Sequence, residues 1–336
     1  MQRRNFLGLL GAAIIAPPNV SFAQAPPSSA ATKPLRIVVI ANTYYEGDGL
    51  MTALCNRMVR NAKIDVPRDT MWPRKAPQTD ADIIRRPRCL IDAAAQNGNA
   101  TAVIEIWCLD DLMAANISHG ATDNKAKCMR IVTEYGSAPA GVVAFGTAAY
   151  PDDLSYNGCA TIGGTIFIRD AANDGGPIHS NWTWPGNMGV LVPSKTPPAF
   201  FANVLADPQT MLTINSQMLT VPVNPASKLR LVIAPDAIAI SSVNIPKDTE
   251  FAPVDLKAIA AAKAAGAINI TSVETTHGVI RAQWPDVPFI YVTAIPNRVG
   301  HFQDEARNNY PQELVSTHNA GIALKHVIPH FLEAIA

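Results

Sequence analysis

"LRIVVIAN", residues 35–42, is a continuous β-branched run, apolar on both of the faces a strand would present. Such a run suits a parallel strand buried between two helix layers rather than a surface strand with one wet face. Outward from it the chain alternates. "GLMTALCNRMVRNA", 49–62, has helical spacing, with Leu50, Leu54, Met58 and Val59 on one face. "ATAVIEIW", 100–107, is a second strand and "NKAKCMRIVTEY", 124–135, a second helix. "AGVVAFGTAAY", 140–150, is a third strand, expected to end at Gly146, and "ATIGGTIFIRDA", 160–171, a strand pair or bend. "KLRLVIAP", 228–235, is a strand. The Ala-rich 255–267 is a helix with Gly266 near its stop. "INITSVETT" then reads as a strand, followed by a short helical stretch, "PFIYVTAI" as another strand, and a last helix from about His318 to the end. This alternation predicts a three-layer α/β/α fold with a central mixed, mainly parallel sheet. Functional groups are expected at the carboxyl ends of the strands.

The chain has 336 residues, 48% of them hydrophobic and 16% charged, with 27 basic and 27 acidic side chains. A zero formal charge provides no field to gather nucleic acid or an anionic membrane. "MQRRNFLGLLGAAIIAPPNVSFAQA", 1–25, has the basic start, apolar middle and small-residue end of a secretory signal. Its apolar part is too short and too broken by Gly and Pro to span a bilayer. "RRNFLG" resembles the twin-arginine type, read at Arg3 and Arg4, which predicts a periplasmic or secreted protein. Cleavage after Ala23 or Ala25 is expected, Ala23 being favoured because Pro26 follows Ala25. Residues 26–34 read as a disordered spacer and 35–336 as a single domain. Five cysteines, Cys55, Cys89, Cys108, Cys128 and Cys159, leave at least one thiol unpaired; with no CxxC spacing, no metal site is expected. "NDGGPIHSNWTWPGNMG", 173–189, reads as a long loop whose Trp182 and Trp184 either stack on a ligand or pack on the surface.

Three strand ends carry unusual residues. Gly146 and Thr147 let backbone N–H groups and a hydroxyl approach a ligand, although a glycine after a strand is often only a turn. Glu274 stands inside the otherwise apolar "INITSVETT", where a carboxylate must be paired, hydrogen-bonded or catalytic, and its two oxygens suit a cis-diol. Asn297, in "FIYVTAIPNRVGHFQDE", follows Pro296, which is expected to break the strand; its planar amide can read the edge of a heterocycle.

Order and spacing of these three strand ends resemble the purine nucleoside phosphorylase and methylthioadenosine nucleosidase superfamily, over roughly residues 35–334. That family carries a Met-Glu pair whose Glu binds the ribose hydroxyls; Val273-Glu274 matches it with the Met replaced. Pro296-Asn297 falls where the family has Ser-Asp or Thr-Asn, whose second residue hydrogen-bonds the departing purine. "FGTAA" resembles the family's Gly-rich strand end, "GCATIGGTIFIRDA" its following strand, and "AISSVNIP", 239–246, its "GSGD"-type turn. Glu46 falls close to the water-activating Glu of the hydrolytic branch, and His318 resembles a late His that contacts the ribose 5′ position. The family's phosphate arginine has no counterpart in 35–60, where Arg57 lies inside the helix.

The resemblance implies cleavage of a purine nucleoside's N-glycosidic bond, by phosphate or by water. Glu274 and Asn297 would be catalytic, with Gly146, Thr147, Val273, His318 and Glu46 binding substrate. It implies no cofactor beyond inorganic phosphate as a possible co-substrate, a small-molecule nucleoside as partner, and a homo-oligomer. An exported nucleoside-binding or uptake protein that has lost catalysis is the alternative. A third reading is an unrelated α/β enzyme, but GxGxxG after the first strand and GxSxG anywhere are absent, which disfavours dinucleotide and serine-hydrolase types.

Overall fold

In a computed structural model, residues 33–54, 86–116, 124–171, 188–245 and 251–336 are described. The expected signal, almost all of the spacer, Cys55, Arg57, and Trp182 and Trp184 lie outside them. Among the described residues eleven strands form one mixed sheet. The strand Leu35–Ala41 (β1) is buried on both faces and lies between Thr101–Cys108 (β3) and Gly141–Tyr150 (β4), parallel to both. Cys89–Ala94 (β2) closes one edge antiparallel to β3. Beyond β4 the sheet continues through Asn269–Glu274 (β10), Ala237–Val243 (β9), Thr165–Asp170 (β6) and Val190–Val192 (β7). A second arm leaves β4 through Phe289–Arg298 (β11) to Ala160–Gly163 (β5) and Leu231–Ile233 (β8).

Helices cover both faces, so the three-layer α/β/α expectation holds. Val39, Phe145, Ile290 and Val292 meet Leu50 of Tyr44–Leu54 (α1), Phe200 and Val204 of Pro198–Leu205 (α4), Ile214 of Pro208–Gln217 (α5), and Ala323, Val327 and Phe331 of Tyr310–Ile335 (α8). The opposite face places Val38, Ile40, Val142 and Ala144 against Leu109–Asn116 (α2), Asn124–Tyr135 (α3) and His277–Gln283 (α7). Phe251–Ala264 (α6) lays Ala258 and Ala262 on Ile240 and Val273, and Gly266, at φ 92°, follows its end as expected. No described helix is long and apolar enough to cross a membrane. The four described cysteines are buried.

Several boundaries differ from expectation, each for a physical reason. The first helix starts at Tyr44, not near 49, because Thr43-x-x-Glu46 has capping-box spacing and forms its carboxylate half: Glu46 Oε2 accepts the Thr43 N–H at 2.6 Å. β4 runs through Gly146 to Tyr150. β11 runs through Pro296 to Arg298; its pairing with β4 is interrupted between Ala294 and Asn297, so the N–H that Pro296 lacks falls in a bulge. The "AISSVNIP" segment, expected to be a turn, is the fully buried strand β9 up to Val243, and Ser241 Oγ accepts the Gly278 N–H at 2.9 Å. α8 starts at Tyr310 with Pro311 in its first turn, eight residues before His318.

A buried ion pair ties β2 to α2. Arg88 donates to both carboxylate oxygens of Asp111 at 2.6 and 2.9 Å, with both side chains 2% exposed. Burial pushes the Asp111 carboxyl up to about 6, and the guanidinium restrains it from rising further. Replacing Arg88 with Met strands a buried carboxylate, so denaturant unfolding at neutral pH should report a loss of about 3–5 kcal/mol. The carboxyl's folded pKa then lies further above its unfolded value. The loss should therefore shrink as the pH is lowered and the folded state binds the proton.

Candidate active site at the fork of the sheet

β4 has two edges. β11 follows one of them along most of its length, including Asn297 opposite Ala149. On the other edge β1 pairs only as far as Phe145, and β10 joins, antiparallel, at Ala149 opposite Val273. Residues 146–148 therefore face a fork, where one neighbour has left and the next has not arrived. Such divergence points, at the carboxyl ends of strands, are where open α/β sheets bind ligands.

Glu46 closes one side of the fork. Its Oε1 accepts both the backbone N–H and the hydroxyl of Thr147, each at 2.6 Å, taking a backbone donor that no strand pairs. Tyr45 in turn donates its hydroxyl to Thr147 Oγ1 at 2.9 Å. Glu46 is fully buried, and desolvation raises its pKa against these hydrogen bonds. Close by, the Glu313 carboxyl of α8 is pushed up to about 7 by burial and by the charge of Glu46.

Glu274, the last residue of β10, closes the other side. Its Oε2 accepts the N–H groups of Thr276 and, at 2.8 Å, His277. Its Oε1 is buried and accepts no hydrogen bond; it lies 4.0 Å from His277 Nδ1, which is also buried without a partner. Lys125 of α3 is buried and donates to Thr276 Oγ1, and that hydroxyl donates to Asn42 Oδ1 at 2.9 Å. Burial lowers the Lys125 ammonium to about 8, while the charges of Glu274, Asp110 and Glu46 hold it up. Gly146 floors the gap. A Cβ there would stand 3.1 Å from His277 Nε2 and 3.3 Å from Glu46 Oε1, so any side chain at 146 would press on both groups, which converge on this point from two sides.

The structure thus brings together Glu46, Gly146, Thr147 and Glu274 of the residues singled out in the sequence. Asn297 is buried on the far flank of β4. Its Nδ2 donates to the Arg298 carbonyl at 2.7 Å, its Oδ1 accepts no hydrogen bond, and it contacts neither carboxylate by hydrogen bond. Since Val273, Ala149 and Asn297 lie directly opposite one another, residues 273 and 297 are about 10 Å apart and their side chains share a face. Glu274, one residue on, turns to the face of α7. Val273 packs with Ile240 and Ala258. His318 sits at the α1–α8 contact, with Nδ1 3.1 Å from Thr52 Oγ1, and makes no contact with the fork's side chains. His277 and Lys125 were not singled out in the sequence. "ETTHG" places a histidine three residues after Glu274, but nothing local marks it as facing Glu46.

No protein-family model and no curated protein matches the chain. Among solved structures it is similar in fold to three 5′-methylthioadenosine/S-adenosylhomocysteine nucleosidases. That of Campylobacter jejuni is 12% identical, covers 89% of this chain and 99% of that one, and has a TM-score of 0.44. That of Neisseria meningitidis, in complex with methylthio-immucillin-A, is 11% identical over 88% and 99%, with a TM-score of 0.47. That of S. pneumoniae, with a transition-state inhibitor, is 13% identical over 90% and 100%, also with a TM-score of 0.47. Roles for individual side chains rest on the distances within this chain.

Proposed function

We propose that the protein cleaves the N-glycosidic bond of a purine nucleoside with water as the nucleophile. One observation carries the reading: two buried carboxylates, Glu46 and Glu274, flank the open stretch 146–148 of β4, and the unsatisfied oxygen of Glu274 supplies a buried acceptor for a sugar hydroxyl. Glycosidic cleavage builds positive charge on the ribose and negative charge on the base. Glu274 would hold the ribose hydroxyls and place a negative charge near the developing cation. Asn297 would serve the base from the opposite flank of β4, its second Nδ2 hydrogen donating to the electron-rich base and its unengaged Oδ1 accepting a base N–H. Two carboxylates facing one gap repel a phosphate dianion, and Arg88 is committed to Asp111. That balance favours water over phosphate.

The test incubates the mature protein with inosine, adenosine and methylthioadenosine, with and without phosphate, and follows free base. Release that is independent of phosphate supports the reading. Release only with phosphate replaces water by phosphate. Binding without release supports the nucleoside-uptake alternative and contradicts catalysis.

Asn297 has no proton to give the leaving base, so a base stabilised by hydrogen bonds should leave faster: hypoxanthine from inosine ahead of adenine from adenosine. Asn297→Ala should lower kcat on inosine about 10-fold, the worth of one hydrogen bond of about 1.4 kcal/mol. Asn297→Asp, which can carry a proton, should narrow the gap between the two substrates. Steady-state rates on both nucleosides check this.

A further inference from the structure

We infer that His277 is a catalytic residue whose Nε2 takes the proton from the attacking water across the gap above Gly146, with Glu274 fixing the ring's tautomer. The inference rests on the reading of the site as a hydrolytic nucleosidase, and it assigns the proton acceptor within it.

His277 opens α7, and its ring is fixed by burial and by lying nearly parallel to Tyr291, centroids 6.0 Å apart and planes at 20°. The Nδ1 edge faces Glu274 Oε1 at 4.0 Å, and neither atom has another partner. A lone pair facing a carboxylate is repelled, whereas an N–H is attracted. The ring proton therefore belongs on Nδ1, and Nε2 carries the lone pair. Nε2 is aimed at Gly146, 3.1 Å from the position its Cβ would take, and Glu46 Oε1 faces that point from the other side at 3.3 Å. A water molecule held beside that point, clear of the Gly146 Cα, would have the Nε2 lone pair as its free acceptor.

The two acceptors are not equivalent. Glu46 Oε1 already accepts the N–H and the hydroxyl of Thr147, and its Oε2 accepts the N–H of Thr43. The lone pairs of Oε1, the oxygen that faces Gly146, are taken up in holding α1 to β4. Among the described residues none donates a hydrogen bond to His277 Nε2. The charged groups around the ring are Glu274 from β10, Lys125 from α3 and Glu46 from α1, with the Tyr291 hydroxyl of β11 neutral. Burial holds the imidazolium below the usual histidine range; Glu274 opposes this and Lys125 reinforces it. The ring is neutral at pH 7 and ready to accept. In the step, the water oxygen bonds C1′ while the C1′–N9 bond breaks and its electron pair leaves with the base. The water proton passes to Nε2, and from the imidazolium it is returned to solvent or to the departing base.

Two measurements decide. In ¹⁵N-histidine-labelled wild type, with the resonance assigned by its loss in H277Q, ring shifts at pH 7 should report a neutral imidazole protonated at Nδ1. A proton on Nε2, or a charged ring, overturns the inference whether or not the enzyme turns over. In kinetics, wild-type kcat should fall on acidification through a single protonation below pH 6.5. H277Q should lose about 10²-fold in kcat, with KM within about twofold, and should lack that acid limb. Glu46→Gln should keep the limb. An acid limb retained in H277Q overturns the inference alone. No base release by the wild type under any condition overturns the function itself, and with it this role for His277.

Discussion

Glu274→Gln should lower the rate of base release by at least about 10³-fold while leaving the unfolding free energy within about 0.5 kcal/mol of wild type. The side chain ends β10, and its Oε2 caps the N–H groups of Thr276 and His277. A glutamine oxygen keeps both of these, so the turn into α7 persists. The substitution changes the other atom. Where the carboxylate has an unsatisfied acceptor, proposed to meet a ribose hydroxyl, glutamine has an NH₂, which cannot accept that proton and meets the Nδ1–H of His277 donor to donor. Loss of one hydrogen bond that strengthens in the transition state costs about 10²–10³ in rate, and here a full negative charge beside the developing oxocarbenium is lost with it. Single-turnover release of free base measures the chemical step apart from binding. A rate within about threefold of wild type would remove Glu274 from the site.

Gly146→Val should be nearly as damaging, by more than about 10²-fold, for a different reason. The backbone at Gly146 is ordinary β-strand, paired through Thr293 of β11, and valine suits a strand. What valine cannot do is leave the gap open. Its Cβ alone would stand 3.1 Å from His277 Nε2 and 3.3 Å from Glu46 Oε1, and its two methyl groups extend further. They displace the water and push both acceptors from their positions, and a shift of about 1 Å in such groups costs about 10² in rate. Gly146→Ala should fall between valine and wild type. Nucleoside affinity, measured by calorimetry, should drop less than kcat in both, because the sugar's acceptor on Glu274 is untouched. Equal activity in glycine, alanine and valine at this position would mean that the gap is not where the nucleophile sits.

The layered fold was legible because burial on two faces leaves an unmistakable spelling. β1, β3 and β4 are runs of Val, Ile and Ala, and α3 begins and ends where its spacing places it. Where reading failed, a tertiary contact satisfied groups that look local. The likeness of "AISSVNIP" to a family turn hid β9; in the fold Ser241 accepts from Gly278 and both serines are buried. Pro296 looked like a strand end because the bulge that absorbs it needs β4 alongside. The capping-box spacing of Thr43-Tyr44-Tyr45-Glu46 was present in the letters and would have placed the start of α1. Of the candidate site, Glu46, Gly146, Thr147 and Glu274, which the structure brings together, could be singled out from strand ends and the family resemblance. His277 and Lys125 could not, since their proximity to Glu274 and Glu46 arises only when α3 and α7 pack on the same face of the sheet.

A co-crystal structure with a non-hydrolysable C-nucleoside of inosine type bears most directly on the central claim. The account predicts the ribose at the fork of β4, a sugar hydroxyl within about 3 Å of Glu274 Oε1, the anomeric carbon facing the gap between Glu46 and His277, and the base toward Asn297. A ligand bound elsewhere on the molecule, with the fork filled by side chains, would contradict it.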